Sequence, residues 1–280
     1  MVARETARTV SPDQGSSPSM EAQRLVARSA IVTGAARGIG EAIARRLAME
    51  GANVVLADID MDEAENVAAS LRASGFGATA CRVDIAQTSA LERFARAIAD
   101  EVGSCDILVN NAAVLDATRT DELTLERYRD VMRVNLDGAL DLTLKLLPLL
   151  KRSSCARVVN VASIMGVRGS RDSVAYSTAK GGLINLTRCL ACDLADHGIL
   201  VNAIAPGFVD TRMALLPDGS GHEHETDWFR DVYIRHGRIP MRRAGTATEI
   251  ANAAYFLCSD DAGYVTGQVL LVDGGASATF

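Results

Sequence analysis

Short runs of consecutive apolar residues alternate along this chain with longer segments whose apolar positions recur at helical spacing. The run "RSAIVTG" at 28–34 reads as a buried strand entering a turn, "IGEAIARRLAMEG" continues at helical period, and "ANVVLADID" is a second strand. The opening unit is therefore β-α-β. A polar, alanine-rich helix over Met61 to Ser74 leads to the strand "ATACRVD", and a helix over Ser89 to Glu101 leads to "CDILVNNAA". The periodic segment Leu123 to Leu150, the strand "ARVVNVAS", the helix Tyr176 to Asp196 and the strand "ILVNAIAPG" continue the alternation. A surface helix, "ATEIANAAYFLCSD", and a last strand, "GQVLLVDGG", close it. Seven short apolar strands separated by helices predict an α/β fold. Its sheet is mostly parallel and covered on both faces, giving three α/β/α layers with right-handed crossovers.

Two stretches break the pattern. Residues 1–25 carry charge, prolines and serines without helix or strand periodicity and are expected to be a disordered N-terminal extension, leaving 26–280 as one domain. Phe208 to Arg243 holds three of the four histidines, the only tryptophan and several charges, with a candidate helix around Asp227 to Ile234. So long an excursion is expected to cover a pocket as a lid. Met213, Leu215, Leu216, Trp228 and Phe229 are its apolar covering residues.

A chain of 280 residues can bury one large core, and 48% hydrophobic residues with 23 glycines fit a packed α/β protein rather than a disordered one. A net charge of -6 disfavours nucleic acid as a partner. No segment has the uninterrupted apolar length of a membrane span or a signal peptide. The six cysteines (81, 105, 155, 189, 192 and 258) form no close ligand set and read as free thiols, which points to a reducing, cytoplasmic location. His222 and His224 make an "HEH" spacing that, with His236, reads as lid or solvent-facing, so no metal site is expected.

"TGAARGIG", Thr33 to Gly40, lies between the first strand and helix. Gly34 suits a tight turn, Gly38 a close approach of backbone to ligand and Gly40 close helix packing, while the helix-start amides can receive a pyrophosphate. At the end of the second strand, Asp58 can accept hydrogen bonds from ribose hydroxyls and repel a ribose phosphate, which favours NAD over NADP. Arg37 argues the other way as a phosphate partner, or else pairs with nearby acids. Asp84 reads either as a strand-end cap or as a group facing adenine, and Asn111 either as a turn residue or as a cofactor-facing one. In "SVAYSTAKGG" the four-residue spacing puts Tyr176 and Lys180 on one helical face, a phenol beside an ammonium.

Taken together, "TGAARGIG", "VNNAA", Asn135 in "VMRVNLDG", Ser163 in "VVNVASIMG", "YSTAK" and "APGFVDT" resemble the short-chain dehydrogenase/reductase family in its single Rossmann-like domain of about 250 residues, from about Ser29 to Gly275. The resemblance implies catalysis by Ser163, Tyr176 and Lys180, with Asn135 supporting a proton-relaying water. It implies cofactor contacts from Gly34, Arg37, Gly38, Ile39, Gly40, Asp58 and Ile59, and from Tyr176 and Lys180 as well, with Lys180 holding the cofactor ribose. It adds Asp84 and Ile85 near adenine, Asn111 and Ala112 near ribose, and Pro206, Gly207, Val209 and Thr211 along nicotinamide. Ala113 departs from the family's usual glycine. A homotetramer built on the Leu123–Leu150 and Tyr176–Asp196 helices and the last strand is also implied.

In such a site Tyr176 exchanges a proton with the substrate oxygen, Lys180 favours its anion, and Ser163 aligns the oxygen. The expected reaction is hydride transfer between NAD(H) and a secondary alcohol or ketone, with a small sugar, polyol or hydroxy acid as leading substrate. A 3-oxoacyl thioester is the alternative, and a non-catalytic NAD-sensing protein a further one. Arg168 and Arg212 are candidate contacts for an anionic substrate group.

Overall fold

The computed structural model describes residues 23–216, 219 and 221–278. In chain order its strands are β1 (Ser29–Thr33), β2 (Asn53–Asp58), β3 (Ala78–Arg82), β4 (Ile107–Asn110), β5 (Arg157–Val161), β6 (Leu200–Pro206), β7 (Val209–Asp210), β8 (Gly245–Thr246) and β9 (Val269–Val272). Seven of them form one sheet in the order β3-β2-β1-β4-β5-β6-β9. Every neighbouring pair in it is parallel. The two-residue strands β7 and β8 pair separately, beside the end of β6.

The helices are α1 (Gly38–Met49), α2 (Met61–Ala73), α3 (Thr88–Glu101), α4 (Leu125–Met132), α5 (Gly138–Leu150), α6 (Val174–Leu194), α7 (Asp227–Phe229) and α8 (Ala247–Cys258). They divide between the two faces of the sheet. Successive strand residues point to opposite faces, so Val32 joins Leu47, Val67 and Ile250 in one core, while its neighbour Ile31 joins Phe94, Leu142 and Leu190 in the other. This double burial explains why the strands read as unbroken apolar runs. Fully burying each such side chain contributes about 1.5–3 kcal/mol before chain entropy is counted.

The long periodic segment predicted over Leu123 to Leu150 is two helices joined by a π-helical turn, Arg133–Asp137, which carries Asn135. Wider i→i+5 turns of this kind gather at functional sites because they displace backbone from the regular ladder. The packed chain also starts before the boundary drawn at residue 25: Leu25 is fully buried and donates its N–H to the Glu50 carbonyl at 2.8 Å. Residues 1–22 of the expected extension lie outside the described residues.

Helix starts differ in a way that matters for the site. Thr246 and Glu249 form a capping box on α8, Thr124 caps α4 and Asp60 caps α2. Arg37 at the start of α1 makes no side-chain cap, as is also the case at the starts of α3 and α6, and of these only α1 opens on the glycine turn at the end of β1. The first amides of α1 are thus left to an outside acceptor.

Candidate active site

Strand order reverses at β1, whose neighbours β2 and β4 lead away in opposite directions. Ligand crevices of open α/β sheets form at the carboxyl ends of such strands. Here the crevice floor is the turn Thr33 to Gly40. Gly34 has φ +63°, and a Cβ on it would stand 2.8 Å from the Ala112 Cα; one on Gly40 would overlap the Gly34 carbonyl oxygen. The turn fits only without side chains at those two positions.

Asn111 fastens this turn to the end of β4. Its Nδ2 donates to the carbonyls of Thr33 at 2.8 Å and Gly34 at 3.0 Å, and its N–H donates to Thr33 Oγ1 at 2.9 Å. Of the two readings for Asn111, the turn role is therefore visible in the geometry, and its side chain also borders the cleft described below. Its neighbour Asn110 points elsewhere, donating to Asn160 Oδ1 at 2.9 Å and Thr143 Oγ1 at 3.1 Å in a buried polar link between β4, β5 and α5.

Asp58, at the end of β2, accepts from the backbone N–H of Ala36 at 2.9 Å and of Asp60 at 3.0 Å. Its carboxylate is thereby held against the glycine turn. Arg37 forms an ion pair with Asp60, the second of its two sequence readings. Asp84 accepts from Ala86 N–H at 3.0 Å and Gln87 Nε2 at 2.7 Å, the geometry of a strand-end cap. Ile85 is half-buried beside it, and Ile59 is exposed at the rim. Open helix amides, a side-chain-free turn and a fixed carboxylate together fit a dinucleotide: Gly34, Gly38 and Gly40 would admit its pyrophosphate and Asp58 its adenine ribose.

At the end of β5, Ser163 is extended and its Oγ accepts from Met165 N–H at 3.1 Å. The short 3-10 turn that follows lies directly on α6, because Gly166 lacks the Cβ that would stand 2.6 Å from the Lys180 carbonyl carbon. On the facing side of α6, one turn apart, are Tyr176 and Lys180, exposed by only 7% and 2%. Lys180 Nζ donates to the Val161 carbonyl at 2.7 Å and lies 5.7 Å from the centre of the Tyr176 ring. Asn135 is buried in the π turn, and its amide clamps one residue from both sides: Oδ1 accepts from Val114 N–H and Nδ2 donates to Val114 C=O, each at 2.8 Å. Its side chain therefore fixes the loop after β4.

Burial depresses the Lys180 pKa to about 8. It also raises that of Tyr176, against a smaller opposing effect of the hydrogen bond to Ser163. The Tyr176 direction is opposite to the expected stabilisation of the phenolate by Lys180. Desolvation of an anion in this cleft outweighs its neighbours. The protein groups alone favour a neutral phenol that can donate a proton.

One cleft is bordered by Ile39, Asn111, Ser163, Tyr176, Lys180, Pro206, Gly207, Val209 and Thr211, all named from the sequence. Gly34, Arg37, Gly38, Gly40, Asp58, Ile59, Asp84, Ile85 and Ala112 belong to the turn and strand ends beside it. Ala113, at the expected family glycine, also borders the cleft, as does Met213 from the lid. Glu223 and His224 reach it too; the sequence placed both in the lid without singling either out as a cleft residue. Burial raises the Glu223 pKa and lowers that of His224.

The lid is folded around aromatic contacts. Phe208, Phe229 and Tyr233 pack edge-to-face or tilted at centroid separations of 4.5–5.1 Å, and His224 packs on Phe229 at 4.9 Å. Phe229 is buried as a covering residue should be, whereas Leu215 and Trp228 point to solvent. Arg168 hydrogen-bonds to the Ser277 carbonyl, and Arg212 is exposed at the lid's start. All six cysteines are free. Among the described residues no helix is long and apolar enough to cross a membrane.

Comparison with known proteins agrees with this architecture. The family described as Enoyl-(Acyl carrier protein) reductase matches residues 34–277. The 3-oxoacyl-[acyl-carrier-protein] reductase FabG of Staphylococcus epidermidis is 36% identical, covering 89% of this chain and 98% of its own. Meso-2,3-butanediol dehydrogenase of Serratia marcescens is 37% identical, covering 89% and 94%. A solved structure from Beutenbergia cavernae, provisionally assigned as an NAD(P)-dependent gluconate 5-dehydrogenase with NADP at low occupancy, superposes with a TM-score of 0.84 at 35% identity over 92% of this chain and 100% of its own. The chain belongs to the short-chain dehydrogenase/reductase family. It is an NAD(P)-dependent oxidoreductase with a Rossmann-like fold.

Proposed function

We propose that the enzyme transfers hydride between NAD(H) and a small polyhydroxylated secondary alcohol or its ketone: a sugar, polyol or hydroxy acid. The observation that carries the substrate class is the lid's contribution to the cleft. Glu223 and His224 give its wall a half-buried carboxylate and imidazole in the same cleft as Ser163 and Tyr176. A carboxylate so placed gains from accepting hydrogen bonds from substrate hydroxyls and loses if covered by an acyl chain. The butanediol and gluconate dehydrogenase names among the relatives support this reading, and the FabG name supports a 3-oxoacyl thioester as the second.

Substituting Glu223→Leu separates the two. Loss of about tenfold or more in kcat/KM for a polyol, with a gain for a short 3-oxoacyl thioester, is expected from removing one charge-assisted hydrogen bond. Equal effects on both substrates would contradict the role given to Glu223.

The NAD preference rests on the Asp58 carboxylate, fixed by two backbone amides, and on Arg37 being already paired with Asp60. A ribose phosphate beside Asp58 would face an uncompensated like charge. Wild type is expected to favour NAD over NADP by about tenfold or more in kcat/KM, and Asp58→Ala to erase most of that ratio. An unchanged ratio in the variant would remove Asp58 from the account.

The nicotinamide supplies or accepts the hydride when bound. Ser163 Oγ hydrogen-bonds the substrate oxygen and aligns it. In reduction the Tyr176 hydroxyl gives its proton to that oxygen; in oxidation the phenolate removes the proton of the alcohol. Lys180 supplies the nearby positive charge that the anion needs. Asn135, a positioning residue, holds the Val114 segment at the edge of the cleft.

The assembly we propose is a homotetramer. β9 lies at the sheet edge with Leu270 and Leu271 exposed, and Leu144 is exposed on α5, which leaves apolar surface on two of the expected faces. Light scattering after size exclusion is expected to give four chains per particle, and a concentration-independent monomer would refute the assembly.

A further inference from the structure

The lid brings together three side chains that the hydride-transfer reading does not require as a set. Asp210 is the last residue of β7, while His222 and His224 flank Glu223 in the lid. Each offers one ligand atom, and these atoms all lie within 4.8 Å of one another. His222 Nδ1 is 3.4 Å from Asp210 Oδ1. Ligands of a tetrahedral zinc-type ion, at about 2.0–2.1 Å from the metal, stand about 3.3–3.4 Å apart. That first edge already has the required length, and a small rotation of a side chain shortens the longer separations.

Two further observations favour a cation over a simple hydrogen-bonded cluster. The Nδ1 atom of His224 is shielded from solvent and finds no hydrogen-bond partner, and the shielded Nδ1 of His222 faces Asp210 Oδ1 without forming a well-aligned hydrogen bond. A buried ring nitrogen without a partner costs free energy that a metal bond would recover. In addition, His222 is held in place by its own backbone, through an antiparallel bridge to Leu215 and the turn closed by Leu216 N–H to Gly221 C=O at 2.9 Å. The other two histidines stand apart: His197 is exposed, and His236 faces Asp231 at 3.7 Å.

We propose that Asp210, His222 and His224 bind one divalent transition-metal ion of the zinc class, which pins the lid to β7. Two imidazole nitrogens and one carboxylate oxygen are a borderline donor set, suited to zinc, cobalt or nickel rather than to magnesium or calcium. Three protein ligands leave a coordination position for water. Because Val209 and Thr211 on either side of Asp210 border the cleft together with His224, the ion sets the position of the cleft wall. The sequence expectation of a metal-free lid is thereby replaced by a proposed structural clamp. His224 also belongs to the cleft wall, but the zinc titration reads binding and not turnover, so its outcome stands apart from that of the substrate proposed above.

Untagged full-length protein, stripped with chelator and titrated with zinc chloride alone in a calorimeter, is expected to bind one ion per chain and to gain thermal stability on binding. Asp210→Asn and the double variant His222→Ala, His224→Ala should each weaken binding by on the order of 100-fold. His197→Ala, at an exposed site, should leave it unchanged. Cobalt(II) provides a measurement that needs no variant: two imidazole ligands give two paramagnetically shifted, exchangeable N–H proton signals. No saturable binding, binding undiminished in Asp210→Asn, or cobalt-loaded protein without those two signals would each overturn the proposal.

Discussion

Replacing Tyr176 with phenylalanine is expected to lower kcat by about 10²–10⁴-fold, the usual contribution of a positioned general acid or base. NAD should bind the variant within about twofold of wild type, because the substitution removes one oxygen and leaves the glycine turn untouched. The reason lies in the cleft: the Tyr176 hydroxyl is the titratable O–H that hydrogen-bonds to Ser163, and burial holds it protonated. Lys180 commits one of its three N–H donors to the Val161 carbonyl, which holds the ammonium beside the Tyr176 ring. Turnover within about threefold of wild type would remove Tyr176 from the proton-transfer role, whatever the binding of cofactor. A parallel loss of NAD affinity would assign the residue to binding instead.

The Lys180→Met variant is expected to lose about as much turnover and yet fold at least as stably as wild type at neutral pH. Burial depresses the lysine's pKa from 10.5 to about 8 in the folded chain. Well below pH 8 the ammonium is thus charged in both folded and unfolded chains, and its desolvation costs the folded state on the order of 3 kcal/mol. Between about pH 8 and 10.5 the folded lysine is neutral while the unfolded one still binds a proton, so wild-type stability gains from this group as pH rises through that window. Methionine removes both the cost and the slope. It also removes the hydrogen bond to Val161, which offsets about 1–3 kcal/mol of the gain. Denaturant unfolding of the two proteins at pH 7 and pH 10 measures the difference. A variant less stable than wild type by more than about 2 kcal/mol at pH 7 would show that Lys180 holds the fold together rather than serving the site at its expense.

The parts of this molecule that could be read from its sequence are those where one local rule decides. The central strands β1, β2, β4, β5 and β6 are buried on both faces, so an unbroken apolar run was sufficient to find them. Gly34 and Gly40 could be assigned because a turn between strand and helix has few ways to avoid side chains. Tyr176 and Lys180 needed only helical spacing. Where the outcome depends on atoms distant in sequence, the pattern is silent. A π turn at Arg133–Asp137 keeps nearly the same apolar periodicity as an α-helix, so the widening around Asn135 does not show. Aromatic residues in the lid were foreseen as covering surface, yet Phe229 is buried against Phe208 and Tyr233 while its neighbour Trp228 faces solvent. Which of two adjacent rings turns inward is decided by the packing surface beneath them. Likewise, the meeting of His222 and His224 with Asp210 depends on the return of the lid over β7.

The Tyr176 phenol illustrates a different kind of difference. Its neighbours were identified correctly, but the balance between a buried environment and a single adjacent ammonium is a question of solvent exclusion, which residue spacing does not contain. The free chain favours the donor state. Base action in the oxidative direction therefore draws on the positive charge of Lys180 and of the oxidised cofactor together.

The most direct measurement is the rate of change at the reduced-nicotinamide absorbance band for wild-type protein, with NAD and NADP in turn. Sugar acids, polyols, hydroxy acids and short 3-oxoacyl thioesters are supplied in the appropriate reaction direction. A polyhydroxylated substrate with the highest kcat/KM, and with NAD preferred over NADP, is the predicted result. A 3-oxoacyl thioester reduced fastest with NADPH would contradict both the substrate class assigned through Glu223 and the cofactor preference assigned through Asp58.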